Sequence, residues 1–144
     1  MRKKFVFLSF ILLIFTNVFA SYDLEQQLHV EHWMKTLEKH PFVLVRINAA
    51  KFLGELQDRI AVPSLVRALE DADNDVVFAA IQSLGLLGDP TAVKPLFEVS
   101  VKHEGTLLAK EAQRSIEKIQ SYLDFKKKQR DANLDTKQPT TSEQ

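Results

Sequence analysis

The side chains best able to bind or transform a ligand are few and scattered along this chain. Glu25, His29 and His32 follow at spacings of four and three, which brings them onto adjoining parts of one helix face within reach of a single Zn²⁺. A tight site needs further strong ligands from elsewhere, and a solvated helix face accounts for these three without metal. His103-Glu104 is one adjacent imidazole–carboxylate pair, followed by Gly105, and reads as a polar helix end. The serines lie in helices or tails without a phased histidine and aspartate, so no nucleophile–base pair emerges. No glycine-rich loop offers to cradle phosphate. The sequence therefore assigns no catalytic residue, no metal ligand and no cofactor.

The elements that would position any site follow from an internal repeat. From Val45 the chain reads VRINAAKFLGELQDRIAVPSLVRAL, and 31 positions on, from Val76, it reads VVFAAIQSLGLLGDPTAVKPLFEVS. The overlay pairs Val45 with Val76, Ala49 with Ala80, Leu53 with Leu84, Gly54 with Gly85, Leu56 with Leu87, Asp58 with Asp89 and Leu65 with Leu96. A fixed period of this kind means stacked helical units, none of which buries its apolar face alone. A shift of 32 lays Val30, Trp33, Met34 and Leu37 onto Val62, Leu65, Val66 and Leu69, so the segment before Leu37 reads as the second helix of an incomplete first unit. Ala112, Ser115 and Ile116 fall under Ala80, Ser83 and Leu84, which makes Leu107 to Tyr122 the first helix of a truncated last unit. Six helices are expected, near 23–38, 42–56, 60–70, 74–87, 91–103 and 106–123. Trp33, Phe52, Phe78 and Phe97 are expected in the packing.

Local chemistry sets the boundaries. Pro41 pushes His40 out of the helical region. Asp71, Asp73, Asn74 and Asp75 supply N-cap candidates for the fourth helix. Gly88-Asp89-Pro90 reads as stop, turn and restart. Gly54 and Gly85 fall inside helices at the same phase, which points to close helix approach in each unit.

The first twenty residues read as a targeting segment. Arg2-Lys3-Lys4 precedes an apolar run from Phe5 to Phe15 broken only by Ser9, and Val18-Phe19-Ala20 offers a cut after Ala20. The apolar run of about 15 residues is short for a membrane span, although retention as an anchor is the competing reading. Removing it leaves sixteen Lys and Arg against nineteen Asp and Glu, a balance unsuited to general nucleic-acid binding. The chain has no cysteine, so an exported product relies on its helical core. No Asn-x-Ser/Thr acceptor occurs, which favours a bacterial periplasm or secretion from a bacterium. Residues 21–123 form the expected domain, and 124–144, with Lys126-Lys127-Lys128 and little apolar content, a disordered polar tail.

VRxxAAxxLG, a short turn, AVPSL and then ALED resembles the HEAT repeat, most closely the short bacterial variety also found in phycobilisome lyases. Positions 45–71 and 76–99 carry the motif fully, and 24–37 and 107–119 as half-units. The resemblance implies an all-α solenoid of antiparallel helix pairs stacked in a right-handed superhelix, with second helices on the concave face. It also implies protein binding, since repeats of this kind mostly serve as scaffolds. Arg46 of the VR pair becomes Val77 in the next unit, which argues against a polar ladder through that position. The same family includes an iron-dependent hydroxylase that holds two metals with several His-Glu pairs, against the single pair His103-Glu104 here.

With core positions removed, the outward phase of the second helices gives Lys35, Arg67 and Glu98, flanked by His32, Ser64 and Pro95, with Lys94 and Lys102 at the far end. A mixed-charge ridge of this kind suits a protein or peptide better than a buried small molecule. The first reading is thus an exported, non-catalytic module that binds a protein partner through Lys35, Ser64, Arg67, Lys94, Glu98 and Lys102. It has no nucleic-acid partner, and no membrane contact unless the signal is retained. The alternative is an enzyme or enzyme accessory of the lyase or metal-hydroxylase type. Intact mass of the protein recovered from a periplasmic fraction should start at Ser21, and recovery of uncut chain in membranes alone would overturn cleavage after Ala20.

Overall fold

The computed structural model of the protein describes residues 29–135, so the expected signal segment 1–20, Glu25 and the end of the tail lie outside the described residues. Helix α1 covers 29–39 and stops where Pro41 requires, with His40 already non-helical. Helix α2 (Val43–Glu55) leads through a 3₁₀ turn, Arg59–Ala61, into α3 (Val62–Ala68). Helix α4 (Asn74–Leu87) leads through a matching turn, Pro90–Ala92, into α5 (Val93–Lys102), and α6 (Leu107–Asp135) follows. The two turns start alike. The carboxylates of Asp58 and Asp89 accept from the backbone N–H two residues on, at 3.0 Å and 2.9 Å. Asp73 does the same for Asp75 and is the N-cap of α4.

Helices α2, α4 and α6 form one layer, with α4 packed between the other two, while α3 packs on α4 and α5 on α6. Each second helix thus rests on the first helix of the following unit. Leu53, Leu65, Leu84 and Leu96 are completely buried, and Val30 and Leu37 of α1 join the same core, so the periodic stripes form the interior. Trp33 lies partly buried against that core, its ring 4.8 Å from Phe52.

The two helical glycines lie where first helices touch. A Cβ built on Gly54 would stand 2.7 Å from Ser83 Cβ, and one on Gly85 would stand 2.7 Å from Ser115 Oγ. Ser83 also donates its hydroxyl to the Ala50 carbonyl at 2.8 Å, in the buried seam between α2 and α4. Ser115 is fully buried against Gly85.

Two expectations need correction. Helix α6 does not give way to a disordered tail at Asp124 but continues to Asp135. Between Thr106 and Gln138 there is no glycine or proline, and the residues are good helix formers, so nothing repeats the stop at Gly88-Asp89-Pro90. Phe97 is not a packing residue, being 60% exposed. Its counterpart Val66 is partly buried against the core. Because α6 runs straight on, no second helix of the last unit comes back, among the described residues, to cover Phe97.

Gly54→Ala should destabilise the fold by about 1–3 kcal/mol through overpacking, although alanine is the better helix former. Denaturant melts should show part of that loss restored by adding Ser83→Gly. A Gly54→Ala variant as stable as the parent would show that the seam yields freely.

Candidate functional site

The ridge residues lie on α1, α3 and α5 with unequal exposure. Lys35, Arg67, Lys94, Glu98 and Lys102 are exposed. Ser64 is not; it is fully buried, and its place on a binding surface is corrected accordingly. The phase that puts residue 64 beside the ridge also points it at α1. There Glu38 accepts from Ser64 Oγ at 2.9 Å and from Arg67 Nε at 3.1 Å, with Arg67 Nη2 bonded to the same oxygen. Arg67 Nη2 also donates to Ser64 Oγ at 2.9 Å. Arg67 is therefore a brace between α1 and α3 that keeps 58% of its side chain open to solvent. A cleft of about 360 Å³ opens beside it, lined by Glu38, Lys39, Ser64, Arg67, Glu70 and Asp71 among others.

Hydrogen bonds from Arg67 hold the Glu38 carboxyl below the usual carboxylate range, against the opposing effect of partial burial and with help from Ser64 and the nearby charges of Arg67 and Lys39. A second brace joins Arg46 to Asp71 in a two-pronged contact, Nε and Nη2 each 2.9 Å from a carboxylate oxygen. Arg46 Nη1 donates to the His40 carbonyl at 2.9 Å, so one guanidinium fixes both ends of the unit. Burial pushes Asp71 up, but the Arg46 hydrogen bonds, the Asp73 amide and the Arg46 charge together hold it lowered. The corresponding place in the next unit is Val77, which is buried, so that unit does not repeat the brace. A third brace crosses from α4 to α6. Glu111, 4% exposed, accepts from Gln82 at 3.2 Å and pairs with Arg114 at 3.1 Å.

Farther along the ridge, Lys94, Glu98 and Lys102 succeed one another at i, i+4 and i+8 on α5. Beside them stand Phe97 and Val101, 60% and 59% exposed. Sequence reasoning missed this pair because it assigned Phe97 to the core by phase. It missed Glu38 because that brace joins two units at one level of the stack. What could have exposed Phe97 is the unbroken helical composition after Thr106.

The remaining chemical candidates stay apart. His103 is the C-cap of α5 and Glu104 is exposed in the turn that follows. His29 packs edge-on to Phe52 at 6.1 Å and His32 edge-on to Trp33 at 5.6 Å. Among the described residues no group of three or more His, Asp or Glu side chains could hold a metal ion. No helix among them is long and apolar enough to cross a membrane.

Comparison with known proteins places this arrangement in a class. Residues 30–117 match the family model for HEAT repeats, and the chain belongs to the HEAT-repeat family. Similar solved structures include human deoxyhypusine hydroxylase in complex with glycerol, at 25% identity and a TM-score of 0.58. The match covers 65% of this chain and 33% of the hydroxylase chain, so the present protein spans about a third of that enzyme. No curated protein matches the chain.

The lowered carboxylates fix the sign of the pH response. A group whose pKa falls on folding contributes stability that is present above its unfolded value, about 4 for Asp and Glu, and that is lost as pH drops through the folded value. Arg46→Met should therefore be less stable than the parent at neutral pH, where it leaves Asp71 without its partner. The two should converge as melts are taken down through the lowered folded pKa of Asp71, once its carboxylate is protonated in both. A constant gap across that range would mean the brace acts through packing alone.

Proposed function

We propose that this protein is a non-catalytic scaffolding module, exported from a bacterial cell, that captures a protein partner on the outward face of its second helices. The observation that carries the reading is the α5 face. Phe97 and Val101 stand exposed one turn apart, flanked by Lys94, Glu98 and Lys102. An apolar anchor with a charged rim is the arrangement expected of a protein-binding patch. HEAT repeats generally mediate protein interactions, and family membership supports the class. The partner element best suited to this face is an amphipathic helix, because it would lie where a second helix of the last unit would otherwise pack. Lys35 and Arg67 continue the ridge toward α1, with Arg67 held in place by Glu38. The finer kinship is with the short bacterial repeats of the phycobilisome-lyase type, on the strength of the quoted motif. Export rests on the composition of the first twenty residues.

A second reading, an enzyme or enzyme accessory, is favoured by the likeness to deoxyhypusine hydroxylase. Under that reading His103 and Glu104 would be the residues to act, together with ligands supplied from outside the described chain.

The test is affinity capture from periplasmic extract with the mature chain, followed by mass spectrometry. Phe97→Asp with Lys94→Glu should abolish capture of a specific partner and leave melting within about 0.5 kcal/mol, as for other exposed positions. A variant that melts like the parent and keeps its partners would place binding elsewhere. Arg67 does not serve as a neutral control, since Arg67→Glu would set two carboxylates against each other at Glu38.

A further inference from the structure

Helix α6 outruns the solenoid. Ala112, Ser115 and Ile119 of its inward stripe are buried, and Tyr122 comes next, against Gly88 at the end of α4. Helical spacing carries the same stripe on through Lys126 and Arg130, and every residue there is exposed. The overhang thus presents cations, where the stripe within the solenoid presents apolar groups. At its foot lies a cleft of about 310 Å³ between the turn after α2 and the end of α4, with Gln57, Arg59, Leu86 and Tyr122 in its lining.

Several features set this cleft apart. Lys126 Nζ stands 4.9 Å from the centre of the Tyr122 ring, a cation–π contact at the rim. Arg59 keeps 52% of its side chain exposed and approaches Asp89 only to 3.7 Å. Asp89 meanwhile commits Oδ1 to the amide and hydroxyl of Thr91. Leu86 is 53% exposed in a helix whose other leucines are buried. Gln57 has φ of 53°, the left-handed region, at the position that Gly88 (φ 63°) fills one repeat later. Glycine takes that conformation without penalty and glutamine does not, so the chain keeps a glutamine in the cleft lining at a backbone cost.

We propose that this notch binds an acidic peptide segment carrying an apolar side chain between carboxylates. The carboxylates would meet Arg59 and Lys126, the apolar group would rest on Tyr122 and Leu86, and the Gln57 amide would bond to the peptide backbone. Charge complementarity favours this occupant over a lipid surface. Lys126, Lys127 and Lys128 are consecutive and therefore point in three directions about the helix, so no plane gathers them, whereas Arg59 lines the cleft and Lys126 stands over the Tyr122 ring that also lines it. The notch shares no residue with the α5 face, so its failure leaves that reading standing.

Fluorescence anisotropy of the full chain with a labelled Glu/Asp-rich peptide centred on leucine tests the assignment, beside the same peptide in Gln/Asn form. Saturable binding of the acidic form alone is expected, weaker at higher ionic strength. Arg59→Glu with Lys126→Glu should weaken it at least about tenfold, as expected on reversing charges that face the ligand. Lys128→Glu, on the far side of α6, should leave it unchanged. Gln57→Gly should melt no lower than the parent yet bind less tightly, which separates recognition from folding. Absence of saturable binding would overturn the proposal. So would equal weakening by Lys128→Glu, or binding to phosphatidylglycerol vesicles in place of the peptide.

Discussion

The contact on which the remaining structure depends is the close approach of one first helix to the next. At Gly54 against Ser83, and again at Gly85 against Ser115, there is no room for another carbon. The neighbours along that seam are small as well, with Ala49, Ala50, Ala79, Ala80 and Ala112 all buried. Such a seam fixes the spacing of α2, α4 and α6 by backbone contact, and close-packed interiors transmit that spacing onward. The larger side chains, Leu53, Leu65, Leu84 and Leu96, then fill a gap between the layers whose width is already set. Order of causes matters here: a change in the seam displaces a whole unit, whereas a trimmed leucine leaves a local void.

This division explains what could be read from the sequence. Features that recur with the period were legible: the stripes, the glycine phase, the Asp58 and Asp89 turns, and the half-units at either end. Features that occur at one level were not. Glu38 with Ser64 and Arg67, Arg46 with Asp71, and Gln82 with Glu111 each join elements at one level of the stack only. Periodicity averages over levels and so erases them. Ser64 shows the cost of that averaging, since its phase suggested a flank of the ridge and its level supplied a carboxylate to bury it against. Phe97 shows the complementary error. A repeat argument assumes a following neighbour, and at α5 the described residues do not supply one.

The outer faces of both layers mix polar and apolar groups. On the first-helix side, Lys110, Gln113, Arg114 and Glu117 of α6 are exposed, with Leu107 open at the start of the same stripe. Asn48, Lys51 and Glu55 are exposed on α2, again with a leucine, Leu44, open on the same stripe. On the second-helix side, α5 ends the layer with Phe97 and Val101 open to solvent. Phe97 and Val101 thus join Leu44 and Leu107 as large apolar side chains left open at the faces of the described stack. Gln57 is a second case, where a glycine one repeat later shows what local geometry prefers. Both positions depart from the repeat, Phe97 from the partial burial of Val66 and Gln57 from the glycine at 88, so each marks a place where the local level of the stack overrides the period.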